Sequence, residues 1–65
     1  MSAVKFFVHG FIAAINPKTG AVTQGEVIVE SAGKKADEIC AAKEEIGVDE
    51  KSEVITWQVI DRIDI

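Results

Sequence analysis

The sequence predicts a small α+β domain with the order strand, strand, helix, strand (ββαβ), whose three-stranded antiparallel sheet has the spatial order 2-1-3 and carries one helix on one face. Three patterns support this prediction: a first segment that is apolar on both sides, a turn sequence directly after it, and a helix-period segment before a final alternating segment. With 65 residues and a mass of 7.0 kDa, the chain is expected to form one domain, 1–65.

The first predicted strand runs from Lys5 to Ile15 and is apolar on both faces. At the strand period of two, its sides carry Phe6, Val8, Gly10, Ile12 and Ala14 on the one hand and Phe7, His9, Phe11, Ala13 and Ile15 on the other. A single helix covers only one of these sides. The opposite side is therefore expected to take part in self-association or to meet a partner.

A hairpin loop is predicted at residues 16–20, because Pro17 presets the φ of the first turn residue and Gly20 tolerates a positive φ. The expected cross-strand pairs are Ala14 with Thr23, Ile12 with Gly25, Gly10 with Val27, and Val8 with Val29. A slip of one residue would turn Glu26 and Glu30 toward the core, which burial of charge disfavours. The two glycines are expected to let the helix lie close to the sheet.

Ser31 is expected to cap a helix from about Ala32 to Ile46, which Gly47 ends in a left-handed conformation. The side chains predicted to face the sheet, at helical spacing, are Ala36, Ile39, Cys40 and Ile46. A last strand is predicted from Glu53 to Ile65. Its expected apolar side carries Ile55, Trp57, Val59, Ile63 and Ile65, and its polar side carries Thr56, Gln58, Arg62 and Asp64. Because only the first strand is apolar on both faces, it is placed in the centre.

The sheet face away from the helix is the predicted protein interface. Its expected members are Phe7, His9, Phe11, Ile15, Val22, Ile28 and Ile60. Phenylalanines each bury about 150–250 Å² of surface, and monomers rarely leave large contiguous apolar patches in water. A twofold homodimer that stacks these faces or joins edge strands is therefore the leading expectation.

An acidic patch is predicted around the helix end and the loop after it. Its members are Glu44, Glu45, Asp49, Glu50 and Glu53. Set against Lys51 alone, five negative charges leave a local charge of −4. Two readings remain open: ordinary solvation of a helix end, and docking on a basic surface of a larger protein.

Composition excludes several classes of function. The single cysteine, Cys40, cannot form an internal disulfide, and together with the single histidine, His9, it falls short of a structural zinc pattern. No metal or cofactor is predicted. Cys40 is expected in the core, on the other side of the sheet from His9, so no nucleophile and base are expected to meet, and the chain is predicted not to be an enzyme. No apolar segment is long enough to span a bilayer, and a cytoplasmic location is expected.

The function predicted from these observations is that of a small protein–protein interaction module, a homodimeric regulator or inhibitor. The alternative is a single-stranded nucleic-acid-binding protein that stacks bases on Phe7 and Phe11. A net charge of −4 and a pI near 4.8 weigh against that alternative, because phosphate binding depends on clustered lysines and arginines.

Overall fold

A computed structural model describes residues 6–64 and confirms the ββαβ order and the sheet order β2-β1-β3. The elements are β1 at Phe6–Ile15, β2 at Val22–Ser31, α1 at Lys35–Ile46 and β3 at Glu53–Asp64. Lys5 and Ile65, the predicted ends of the outer segments, lie outside the described residues. The molecule measures 42 × 23 × 15 Å. Its smallest dimension corresponds to two layers, one sheet and one helix.

The predicted hairpin register is confirmed. β1 and β2 pair antiparallel with Val8 opposite Val29 and Ile12 opposite Gly25. The loop between them is closed by a backbone hydrogen bond from Asn16 N to Ala21 O at 2.9 Å, and the Asn16 side chain accepts a bond from Lys18 N at 2.9 Å. One face of the hairpin is thereby turned toward α1.

The helix begins later than predicted. Ser31 ends β2, and Lys34 occupies the N-cap position without a side-chain cap. Gly33 has a φ of +100°, so the chain turns there before α1 starts. Gly47, with a φ of +76°, ends the helix as predicted. Within the described residues, no helix has the length and apolar character needed to cross a membrane.

The face that α1 turns toward the sheet differs in part from the prediction, although Ile39 and Ile46 pack against the core as predicted. Glu38 and Ala42 are buried, whereas Ala36 and Cys40 are exposed. Ser31 Oγ donates a hydrogen bond to the Glu38 carboxylate and accepts one from Gly33 N at 3.0 Å. This hydrogen bond holds the Glu38 carboxylate on the side of the helix that faces the sheet. It thereby sets which side chains of α1 point toward the core. The apolar residues of α1 that reach the core are Ile39, Ala41, Ala42 and Ile46.

The core lies between α1 and the hairpin. Val8 and Ile12 are fully buried, with Val27 and Val29 beside them. α1 packs mainly on β2 and only on part of β1. The helix is close to Gly25, as expected, but Gly10 is covered by the Trp57 indole from β3. Trp57 therefore completes the core on the side that the helix does not reach.

β3 does not keep the simple alternation that its sequence predicts. Its register against β1 shifts between His9 and Gly10 and again between Ala13 and Ala14. Ile60 and Ile55 are the extra, unpaired residues at these two β-bulges, so the 12 residues of β3 lie alongside only 10 residues of β1. The bulges change the phase of the strand. The residues on the helix side are consequently Val54, Trp57, Val59, Arg62 and Asp64, and those on the other side are Glu53, Thr56, Gln58, Asp61 and Ile63.

We expect Gly10→Ala to destabilise the protein by about 1–3 kcal/mol, because a Cβ at this position would lie 2.5 Å from Trp57 Cη2 and 3.0 Å from the Gln58 carbonyl oxygen. Gly25→Ala is the matched control in the neighbouring strand, since its nearest contact would be 3.9 Å away. Urea unfolding followed by circular dichroism measures both. Equal losses for the two variants would contradict the packing of Trp57 on Gly10.

Ser31→Ala is expected to lower the free energy of unfolding by about 1–3 kcal/mol, because the buried Glu38 carboxylate loses its hydroxyl donor. Thr19→Ala removes a hydroxyl that accepts a 3.2 Å bond from Ala21 N in the exposed hairpin loop, so its effect should be smaller. Thermal unfolding of the two variants and the wild type tests this difference. A loss for Thr19→Ala as large as that for Ser31→Ala would show that Ser31 does not anchor the helix.

Candidate protein-binding face

The side of the sheet opposite α1, called the open face below, carries the predicted interface residues of β1 and β2. Phe7 is 37% exposed, and Phe11 and Ile15 are half-buried on the central strand. Val22 lies opposite Ile15 at one end of the face. Ile28 lies opposite His9 and is 57% exposed. The apolar residues thus form a stripe along β1 that extends onto β2.

β3 contributes to the open face a residue that was not predicted there. Ile63 lies opposite Phe7 and is 44% exposed. The predicted member, Ile60, is the unpaired residue of a β-bulge and is 52% exposed. This bulge changes the phase of β3 and brings Ile63 to the open face. Sequence alternation alone could not identify Ile63, because it placed this residue with Trp57.

Carboxylates line both edges of the open face, and we call them the acidic rim: Glu26 and Glu30 on β2, and Glu53 and Asp61 on β3. All four are exposed. Glu30 and Glu26 lie opposite Phe7 and Phe11 on one side, and Asp61 and Glu53 lie opposite His9 and Ile15 on the other. Among the described residues, this face holds neither lysine nor arginine. With His9 neutral, the described residues of this face carry a formal charge of −4.

Among the described residues, His9 is the one basic side chain on the open face. Its Nε2 lies 3.3 Å from Glu26 Oε2, with 31% of the histidine side chain and 67% of the glutamate side chain exposed. The ring therefore lies beside Glu26 and Ile28 of β2, and Ile28 is itself part of the apolar stripe.

The predicted acidic patch does not form a single surface. Glu44 and Glu45 lie at the end of α1, and Asp49 and Glu50 lie in the loop after it; all are exposed. Lys43 Nζ donates a 2.8 Å hydrogen bond to the Glu50 carbonyl oxygen and brings a cation next to this group. Glu53 belongs to the acidic rim instead, because the start of β3 places it opposite Ile15.

Cys40 is exposed on α1 and is not part of the core that the sequence predicted for it. It lies across the sheet from His9, so these two side chains do not form a nucleophile and base pair in one chain. Within residues 6–64, no group of three or more histidine, cysteine, aspartate or glutamate residues is arranged to hold a metal ion.

A groove of about 320 Å³ separates α1 from β3 on the helix side. It is lined by Gly33, Lys35, Glu38, Trp57, Val59 and Arg62. Arg62 lies over the Phe6 ring, with 4.7 Å between the guanidinium carbon and the ring centroid. Trp57 Nε1 is shielded from water and has no hydrogen-bond partner among the described residues. The groove follows from the position of the helix over β2, which leaves β3 uncovered.

Comparisons with known proteins add no relationship: no family model, no curated protein and no solved structure matches this chain. The candidate site is thus defined by the geometry of the open face, where an apolar stripe on the central strand lies between two lines of carboxylates.

Proposed function

We propose that this chain is a non-enzymatic protein–protein interaction module that acts as a small regulator or inhibitor and binds its partner through the open face. The observation that supports this proposal is the apolar stripe on the side of the sheet opposite α1. Near one end of it, Ile63 of β3 lies opposite Phe7, and Ile28 of β2 lies opposite His9, two residues further along β1. Phe7, Ile28 and Ile63 are each between 37% and 57% exposed. Because monomers rarely leave such residues together in water, a protein surface is the natural cover.

The layering of the molecule supports the same proposal. α1 packs on one side of the sheet, and the described residues place no further element on the other side. Binding at the open face would supply the missing third layer. The lone Cys40 is exposed and unpaired, which suits a reducing compartment, so we propose a cytoplasmic location.

Charge distinguishes two ways of covering the face. A homodimer that stacks two open faces would bring the acidic rims of both copies together, and like charges in an interface disfavour association. A larger protein with a basic surface would neutralise the same carboxylates. We therefore favour such a partner at the open face. Self-association through the edge strands β2 or β3 remains a prediction, because both edges are open in the order β2-β1-β3.

Nucleic-acid binding receives less support. Phe7 and Phe11 do lie on the same open face, as base stacking would require. Proteins that stack single-stranded bases combine such rings with a positively charged groove. Here the acidic rim surrounds the rings and would repel phosphates.

A photo-crosslinking amino acid at position 11, tested in the cells that produce the protein, checks the proposal. We expect a crosslinked protein adduct from position 11, because Phe11 lies at the centre of the open face. Position 36 is the matched control, since Ala36 is exposed on α1 on the other side of the molecule. Mass spectrometry of each adduct separates a second copy of this chain from another protein.

The proposal would be contradicted by two results. One is the absence of protein adducts from position 11; the other is the same set of adducts from positions 11 and 36. An adduct with single-stranded nucleic acid at position 11, without a protein adduct, would favour the alternative function instead.

A further inference from the structure

We infer that the open face takes an amphipathic α-helix of the partner protein, with an apolar stripe flanked on both sides by lysine or arginine. This inference rests on the proposed function and adds the chemistry of the partner. It is drawn from three features of the described residues: the width of the apolar stripe, its length, and the charge of the acidic rim.

The width of the stripe matches one helix. Neighbouring strands lie about 4.8 Å apart, so β2 and β3 are separated by about 10 Å. The diameter of an α-helix with its side chains is about 10–12 Å. A helix lying along β1 would therefore contact Phe7, Phe11 and Ile15, while its flanks pass over Glu26 on one side and Asp61 on the other.

The length of the stripe sets the length of the helix. From Phe7 to Ile15 the central strand advances by eight residues, or about 27 Å at a rise of about 3.4 Å per residue. A helix with a rise of 1.5 Å per residue needs about 18 residues to cover this distance. The same sheet already accepts one helix on its other face, where α1 packs over β1 and β2.

The acidic rim selects the partner's charge. It has two carboxylates on each edge of the stripe, and no lysine or arginine lies among the described residues of this face. Flanking lysines or arginines on the helix would place a cation beside each line of carboxylates, and their long aliphatic stems would cover the margins of the apolar stripe. A helix with acidic flanks would be repelled. The face therefore distinguishes partners by charge as well as by hydrophobicity.

The test uses two synthetic 18-residue helical peptides that share one leucine stripe. One has lysines on both flanks of the stripe, and the other has glutamates at the same positions. Fluorescence anisotropy measures the dissociation constant of each labelled peptide with the full chain. We expect the lysine peptide to bind with a dissociation constant in the micromolar range and the glutamate peptide to bind at least about 30-fold more weakly.

Two protein variants locate the charge effect. The rim variant combines Glu26→Gln, Glu30→Gln, Glu53→Gln and Asp61→Asn. Its matched control combines Glu44→Gln, Glu45→Gln, Asp49→Asn and Glu50→Gln, which removes the same four charges away from the open face. We expect the rim variant to lose affinity for the lysine peptide by about 10- to 30-fold and the control to lose less than about 3-fold.

Amide chemical shifts of the isotope-labelled chain show where the lysine peptide binds. The expected changes centre on residues 7–15 of β1 and spare the exposed side of α1. Phe11→Asp should abolish binding; because this substitution could also affect folding, its circular dichroism spectrum is compared with that of the wild type. The rim variant keeps all apolar residues and gives an independent answer.

Three results would overturn the inference: no binding of the lysine peptide at about 1 mM, equal affinity for the two peptides, or equal losses in the rim and control variants. If any of these results is obtained while position 11 still crosslinks to a protein, the inference of a helical partner fails but the proposed protein–protein interaction is retained. If position 11 gives no protein adduct either, both proposals fail.

Discussion

The structure depends on one constraint: β1 is the central strand and is apolar on both faces, whereas residues 6–64 contain a single 12-residue helix to cover it. One face of β1 supplies Val8 and Ile12, the largest fully buried side chains. The other face supplies Phe7 and Phe11 to the surface opposite α1. Burial of apolar surface is the main favourable contribution to folding, so a chain of this size needs the first face for its stability. The second face is then left exposed, and we propose that it binds a partner.

Two contacts decide how the single helix is used. The hydrogen bond from Ser31 to Glu38 joins the end of β2 to α1 and holds the helix over β2. Because the helix lies there, it does not cover the β3 side of the core, and Trp57 packs across Gly10 to fill that space. A side chain at position 10 would occupy the place of the indole. The glycine at position 10 and the indole of Trp57 therefore depend on each other, and both follow from the position of α1 over β2.

The sequence is sufficient to predict the parts of the fold that depend on periodicity and turn chemistry. Pro17 and Gly20 define the hairpin loop, and the cost of burying Glu26 fixes the register, so the pairs between β1 and β2 follow. The β-bulges at Ile55 and Ile60 were not predictable in this way, because the residue types of the segment do not mark which residue lacks a partner on β1. The phase of α1 was also missed: a glutamate is normally assigned to the solvent side, and only the tertiary contact with Ser31 places Glu38 inside.

The unpredicted β-bulges and the unpredicted phase of α1 also account for the errors at the candidate site. Phe7, Phe11 and Ile28 were assigned to the open face correctly, because they lie in the hairpin whose register the turn determines. Ile63 and Asp61 lie in β3 beyond the second register shift from the hairpin end of β1, between Gly10 and His9, where the alternation departs from the predicted phase. The acidic rim became visible only once both edges of the sheet were in place. Glu26 and Glu53, which are distant in sequence, flank opposite margins of one stripe.

The acidic rim has a role even before a partner binds. An uncovered apolar face on a sheet with two open edges favours stacking and edge pairing between copies, which natural sheet proteins oppose with charge. Carboxylates along both margins repel a second copy at little cost to the folded monomer, because they are exposed. A helix with basic flanks reverses the sign of this interaction. In the proposed complex, the residues that oppose self-stacking are also the ones that select the partner, so that the central strand can be apolar on both faces while the protein remains specific.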